Sequence, residues 1–422
     1  MAIRDGLTIL DTLKFQAKER SRMTDHPLMQ EIAPILPELI AIRKDIHAHP
    51  ELGMEETRTA ALVAARLRSL GIETTEGVGR MGVVGTLRGK RPGQGAIGLR
   101  ADMDALALTE ATNLPYASQH PGKMHACGHD GHTTMLLGAA QMLAQNRDFA
   151  GTVHFIFQPA EEGRGGARAM LDDGLFERFP CDSVYGMHNM PGLPLGHFAL
   201  CDGPMMAGSG RWKVQFRGTG GHGGNSPHLA SDITLAQANF ITALQSIVSR
   251  NAPALESVVI SVGHISGGSV DALNVMPSEI LVGGTMRAFN PAMQKLLDDR
   301  MREVAELTAR MQGASAEVTL WWGAAPLINH TRETCVMADT ARELVGADAV
   351  NDKMTPVTGG EDFAFMLQAK PGAFVFMGNG TAPDGKVHAL HTPLYDFNDA
   401  ALPHGVAFWV NLVRREMNSA AG

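Results

Sequence analysis

The sequence predicts an α/β protein: a mostly parallel sheet covered by helices, into which a smaller α+β domain is inserted. Three observations lead there. Continuous apolar runs of strand length, separated by helical stretches, recur as far as His188, the pattern of a sheet buried on both faces. Polar residues collect where those runs end. Beyond Gly203-Pro204 the runs change to apolar–polar alternation, which marks half-exposed antiparallel strands.

Residues 1–30 are polar, carry no sustained pattern and are expected to be an N-terminal extension. Pro34 and Pro37 lead into a helix over 38–47 with Leu39, Ile42 and Ile46 on one face, and His49-Pro50-Glu51-Leu52-Gly53 ends it. Residues 55–70 resume helical spacing and stop before Gly71. Strands follow at 82–87 and 96–101, the second running into Asp102-Met103-Asp104. Residues 133–143 read as a buried helix, and further strands lie at 151–158, halted by Pro159, and at 183–188. These elements make the first part of a catalytic domain, 31–205. Residues 206–322 read as strand–helix–strand–strand–helix–strand, an inserted βαββαβ domain. Residues 323–422 return to the first domain and end in a helix near 401–416.

At 422 residues, two domains are expected. A formal charge of -8 argues against nucleic acid or an anionic membrane as partner. No apolar run approaches the roughly 20 residues of a membrane span. The charged start, Met1-Ala2-Ile3-Arg4-Asp5, is unlike a secretory signal, so a cytoplasmic protein is expected. Four cysteines in a chain of this length make no disulfide framework.

The chemistry starts at Met124-His125-Ala126-Cys127-Gly128-His129-Asp130-Gly131-His132, a polar turn that opens the buried helix. Cys127 and His129 offer thiolate and imidazole, with His125 and His132 in supporting positions. There is no second Cys-x-x-Cys, which argues against a structural zinc site. Strand ends contribute Asp102 and Asp104, Glu161 and Glu162, then His188 and Asn189, at the edge where open α/β sheets bind ligands. Two adjacent carboxylates suggest a division of labour: one ligates, the other is general base on a metal-held water. A last histidine comes from the returning segment, His391 or its neighbour His388. With Glu162 counted as the ligand, the set Cys127, His129, Glu162, His188 and His391 suits two metals better than one. Its mix of donors favours Zn, Mn, Co or Ni over Mg or Ca. Gly-x-Ser-x-Gly and His-Glu-x-x-His motifs are missing, and the near phosphate loop at 380–387 has Val387 where Ser or Thr belongs.

In combination these motifs resemble the two-metal aminoacylase/carboxypeptidase family, in the branch of hippurate hydrolases, N-acyl-amino-acid amidohydrolases and auxin-conjugate hydrolases. The matching stretches include His47-Ala48-His49-Pro50-Glu51-Leu52-Gly53, Leu99 to Leu106, Met124 to His132 and Gln158 to Gly163. Gly186-Met187-His188-Asn189, Gly220 to Gly224, Asn274-Val275-Met276-Pro277 and Gly359-Gly360-Glu361-Asp362-Phe363 match as well. The resemblance spans about 35–420. It implies two divalent ions per subunit on the five ligands, with Cys127 in bridging range, Glu161 as general base and Asp104 orienting a ligand. It implies a metal-bound hydroxide that cleaves the amide bond of a small N-acyl amino acid. Where the wider family usually has a histidine ligand, this chain has Asp102. The inserted domain is implied to be a dimerisation lid, giving a homodimer or dimer-based tetramer. His222 would reach the scissile carbonyl of the other subunit, and Asn274 and Arg287 would hold the substrate carboxylate. A dipeptidase or carboxypeptidase of the same chemistry, and a non-catalytic binding homologue, are the competing readings.

Overall fold

The computed structural model describes residues 26–419, and the 1–25 part of the expected extension lies outside them. The remainder of that stretch is structured. Pro27–Ile32 is a short helix that packs on the C-terminal helix, and Leu28 and Ile32, four apart, are both buried. The described chain divides into two compact units. One comprises the chain up to Gly203, Ile328–Thr355, and the chain from Phe365; the other comprises Pro204–Leu327 and Pro356–Ala364.

The first unit is built on an eight-stranded sheet. In chain order its strands are β1 (Glu73–Val78), β2 (Gly82–Arg88), β3 (Arg91–Asp102), β4 (Ala150–Gln158), β5 (Ser183–Pro191), β6 (Phe198–Ala199), β7 (Val350–Asn351) and β8 (Gly372–Gly380). In space they run β1-β2-β4-β3-β5-β8-β6-β7. The pairs β3–β4, β3–β5, β5–β8 and β6–β7 are parallel; β1–β2, β2–β4 and β6–β8 are antiparallel. The parallel centre is the part with unbroken apolar runs: every residue of β5 through Asn189 is buried, as expected of a sheet covered on both faces.

The β1–β2 hairpin was not visible in the sequence because β1, Glu-Thr-Thr-Glu-Gly-Val, is polar and mostly exposed at the sheet edge. The expected strand at 82–87 is present but antiparallel to its neighbours. The helix Thr331–Val345 and strand β8, also unanticipated, belong to the returning segment.

Helix His129–Gln145 is the core helix of this unit. It packs on β3 and against the helices Leu36–Ala48 and Leu402–Ser419. Residues 129–143 are buried without exception, so no polar face remains to be solvated and its polar side chains must find partners inside. Parallel register then sets the strand ends side by side: Asp102 opposite Gln158, Arg100 opposite Gly186. The functional side chains occupy this common edge.

The second unit is a four-stranded antiparallel sheet in the order Val258–Gly267, Glu279–Ala288, Gly208–Arg217, Ser315–Ala324. The helices Ile233–Ser246 and Pro291–Arg310 pack on it. Gly208–Arg217 alternates buried and partly exposed residues, so Trp212, Val214 and Phe216 join Phe240, Leu297 and Met301 in one core. The chain visits this unit twice. Pro356–Ala364 is tied in by Ala207 N–H to Val357 O (3.1 Å) and Val357 N–H to Met205 O (3.0 Å). A single insertion at 206–322 does not include that return. Among the described residues no helix is long and apolar enough to cross a membrane.

Candidate metal centre

Cys127 and Gly128 form the turn before helix His129–Gln145. Gly128 has φ +91°, and a Cβ there would stand 2.3 Å from Asn189 Nδ2 and 2.5 Å from Tyr395 Oη, so only glycine fits. The turn delivers two donors, Cys127 Sγ and His129 Nε2. Strand β5 brings His188, whose Nε2 lies 3.3 Å from Cys127 Sγ. The turn after β4 brings Glu162, and the loop after β8 brings His391. His391 Nε2 lies 3.3 Å from Cys127 Sγ and 3.0 Å from Glu162 Oε1.

Two donor clusters result: Cys127, His129 and His188 form one, and Cys127, Glu162 and His391 the other. Within each, the donor atoms lie within 4.8 Å of one another. Cys127 belongs to both. Glu161 sits beside them, with a carboxylate oxygen within 4.8 Å of donors from His129 and Glu162. Of His388 and His391, His391 is the one grouped with Cys127 and Glu162. His388 Nε2 is 3.1 Å from Asp384 Oδ2, whereas His391 faces the cluster, with its backbone at φ +61°. A non-glycine residue held there is strained, and His391 N–H donates to Ala126 O at 2.8 Å to hold it.

The hydrogen bonds assign the histidine tautomers. His188 Nδ1–H donates to Asn189 O (2.7 Å), so Nε2 carries the lone pair that faces Cys127. His129 Nδ1–H donates to Asp104 Oδ1 (3.2 Å), which leaves Nε2 buried and without a hydrogen-bond partner. Asp104 also accepts Glu162 N–H at 2.9 Å, so one carboxylate steadies two donors. His132 cannot serve as a ligand in this arrangement. Its Nε2 accepts the Asn189 N–H (3.0 Å) and its Nδ1–H donates to Asp102 Oδ1 (2.6 Å), which occupies both nitrogens. Asp102 itself is held by Arg100 Nη1 at 2.8 Å.

The charges fit a bound cation. Burial works against a charge on His129, yet Asp102, Asp104 and Glu162 outweigh it and lift the ring to about 10. Burial, with Glu162 and Glu161 alongside, pushes the Cys127 thiol well up. Burial would also raise Glu162, but His391 and His129 keep it below the usual carboxylate range. The pocket therefore calls for positive charge and penalises a bare thiolate. A divalent cation on these soft and borderline donors meets both demands, and the orphaned His129 Nε2 is already aimed for it.

Tyr395 and Arg43 were not legible in the sequence, and Asn189, marked there only as a strand-end residue, has a larger part. Asn189 is a hub: Nδ2–H donates to Cys127 O (2.7 Å), and Oδ1 accepts from Tyr395 Oη (2.7 Å). It thereby ties β5 to the metal turn and to the His391 loop. Behind the turn, fully buried Arg43 donates to Asp399 (2.9 Å) and Asp396 (2.8 Å), and His47 lies 2.8 Å from Asp130. Burial resists charge on His47, but Asp130 and Glu110 raise it to about 9. The available signal was helical spacing: Arg43 and His47 fall on the same face as Leu39 and Ile46.

The remaining expected residues belong to the second unit. His222 pairs with Val275 across a two-stranded ribbon, and Gly223 N–H donates to Asn274 O at 2.8 Å, so His222 and Asn274 stand close together. Both side chains are exposed. His222 Nδ1 accepts the Gly224 and Asn225 N–H groups (3.2 and 3.1 Å), which puts the ring proton of neutral His222 on Nε2. Arg287 is half-buried, with Nε donating to Thr358 O at 3.0 Å and Nη1 to Met286 O at 2.9 Å.

The donor geometry has a counterpart in sequence. The profile of peptidase family M20/M25/M40 matches residues 98–415. The chain belongs to this family. This M20 chain is 40% identical over 385 residues to a hippurate hydrolase from Campylobacter jejuni, covering 91% of this chain and 98% of the relative. It is 38% identical over 383 residues to an N-acetyl-L-cysteine deacetylase from Bacillus subtilis, covering 90% and 89%. Among solved structures it is similar to a dinuclear metal-binding peptidase of the M20 family from Bacillus subtilis. The TM-score is 0.79 at 31% identity, with 92% of this chain and 99% of that one covered. Divalent-metal binding thus follows from family membership and from the donor set together.

Proposed function

We infer that this M20 chain hydrolyses the amide bond of N-acyl amino acids, releasing a carboxylate and a free amino acid. Two divalent ions, drawn from Zn, Mn, Co and Ni, would be held by Cys127, His129, Glu162, His188 and His391. The observation that carries this reading is the pair of donor clusters sharing Cys127, with the Glu161 carboxylate beside them. When bound, the ions supply Lewis acidity, acidifying water and polarising the amide carbonyl.

The chain's own groups do the rest. Glu161 takes a proton from the attacking water as the new C–O bond forms. It then returns that proton to the amide nitrogen as the C–N bond breaks. Asp104 holds His129 in the tautomer that leaves Nε2 open. His222, with its proton on Nε2, has the form needed to donate to the carbonyl oxygen, and we assign it this role across a homodimer. Asn274 and Arg287 are assigned the substrate carboxylate.

A dimer is supported by the Val258–Gly267 edge strand, which exposes Val259 and Ile265. A cytoplasmic setting is supported by four free cysteines, one of them needed as thiolate.

Metal-stripped protein reloaded separately with Zn, Mn, Co and Ni, then offered hippurate, N-acetylcysteine and free dipeptides, tests the reading. The expected outcome is cleavage of the acyl amino acids with at least one metal. Cleavage of dipeptides alone would favour the peptidase reading, and no cleavage with any metal would end the enzymatic one. The His222 assignment has its own test. His222→Ala and Glu161→Gln proteins, each inactive, should regain roughly a quarter of wild-type activity when mixed as 1:1 hybrid dimers, because half the dimers then carry one intact site. Hybrids without activity would remove His222 from the partner's site.

A further inference from the structure

The motif His49-Pro50-Glu51-Leu52-Gly53 and the glutamate that follows it, Glu56, supply no donor to the metal centre. They form a strap across the ends of β3 and β4, which carry Asp104 and the Glu161–Glu162 pair. Leu52 bridges Ala105, and Ala105 N–H donates to Glu51 O at 2.8 Å, next to Asp104. Gly53 lies against Ala160: a Cβ on it would stand 2.9 Å from Ala160 Cα.

Ala160 precedes the Glu161–Glu162 pair. It has φ +54°, in the left-handed region that alanine avoids. A residue persists there only if its surroundings overdetermine it. Ala160 N–H donates to Glu56 Oε1 at 2.7 Å, and Ala160 O accepts from Gly166 N–H at 3.0 Å.

Glu56 has an obvious structural alternative, since it occupies the N-cap of helix Thr57–Ser69. Yet its side chain makes no capping hydrogen bond. Glu51 caps that helix instead, accepting Arg58 N–H (2.9 Å) and Thr59 N–H (2.8 Å). Glu56 is fully buried, and its second oxygen, Oε2, has no hydrogen-bond partner. Burying a carboxyl group this way is unfavourable, and its Oε1 bonds the backbone that aims the general base.

We propose that Glu56 is a positioning residue for Glu161: its hydrogen bond to Ala160 N–H fixes the strained turn that points the Glu161 carboxylate at the reacting water. The proposal rests on the reading of Glu161 as general base. Burial, with Asp104 nearby, raises the Glu56 carboxyl to about 7, so its neutral form is well represented at neutral pH. Glutamine, with the same shape and the same acceptor oxygen, should therefore replace it. Leucine, without an acceptor, should not.

The test compares Glu56→Gln and Glu56→Leu in the metal-loaded protein, by hippurate kinetics and by hydrogen exchange of the Ala160 amide. For Glu56→Leu, kcat is expected to fall about 100-fold, the order associated with a misplaced catalytic group, with KM within about twofold. Its Ala160 amide should exchange at least about tenfold faster. Glu56→Gln should stay within about threefold of wild type on every measure. Wild-type kcat in Glu56→Leu, unchanged Ala160 exchange, or a glutamine variant as impaired as leucine would each overturn the proposal. If the leucine variant fails to fold, Gly53→Ala replaces it, since its Cβ presses on the same alanine, and unchanged kcat and exchange there would count equally against it. A wild-type protein that cleaves no acyl amino acid or dipeptide with any metal would instead refute the reading of Glu161, while the exchange data would still decide what Glu56 does to the turn.

Discussion

Glu161→Gln lowers kcat by about 10²- to 10⁴-fold while the protein keeps its metal, the span expected when one acid–base group is lost. Glutamine preserves size and hydrogen-bonding shape but cannot take a proton at neutral pH. Glu161 lies outside both Cys127-centred clusters, so metal content should not change. Its neighbour Glu162 provides the contrast, because Glu162 Oε1 sits 3.0 Å from His391 Nε2 within a cluster. The corresponding Glu162 variant should lose metal. Stopped assays and metal analysis on one preparation of each variant check the pair. Near-wild-type kcat in Glu161→Gln would remove it as the base.

Cys127→Ala has the second large effect, of a different kind. Cys127 Sγ is the one donor common to both clusters, 3.3 Å from His188 Nε2 and 3.3 Å from His391 Nε2. Removing it should weaken both ions together. Loss of an outer-layer partner typically costs 10- to 100-fold in metal affinity, so losing a shared donor should cost at least about 100-fold, and activity should disappear with the metal. Chelator-competition titration measures this directly. A variant that binds one ion normally and loses only the other would mean that the thiolate serves a single ion. Peroxide should act the same way on the native protein, since a sulfinate is a poor substitute for the thiolate.

The two kinds of residue at this centre differed in how far the sequence disclosed them. Cys127 and His129 were legible because two metal-binding residue types sit two apart on a turn before an apolar helix. Glu162 and His188 were legible because they follow or close nearly continuous apolar runs of parallel strands, whose C-terminal parts converge on one edge. His391 was ambiguous beside His388, since a loop has no periodicity to show which side chain points inward. Tyr395, Glu56 and the part played by Asn189 were missed for a related reason. Each acts through a hydrogen bond to a residue distant in sequence, as with Tyr395 and Asn189, 206 positions apart. The polar strand Glu73–Val78 shows the same limit in the fold, because an edge strand exposed to water need not look apolar.

The central claim is that two ions share the Cys127 thiolate. X-ray absorption and anomalous diffraction on zinc- or cobalt-loaded protein test it most directly. The account predicts two ions per chain, each with one sulfur neighbour at about 2.3 Å, the distance of a metal–thiolate bond, and that sulfur the same Cys127 Sγ. A single ion, or two ions bound only through nitrogen and oxygen with Cys127 standing apart, would contradict it.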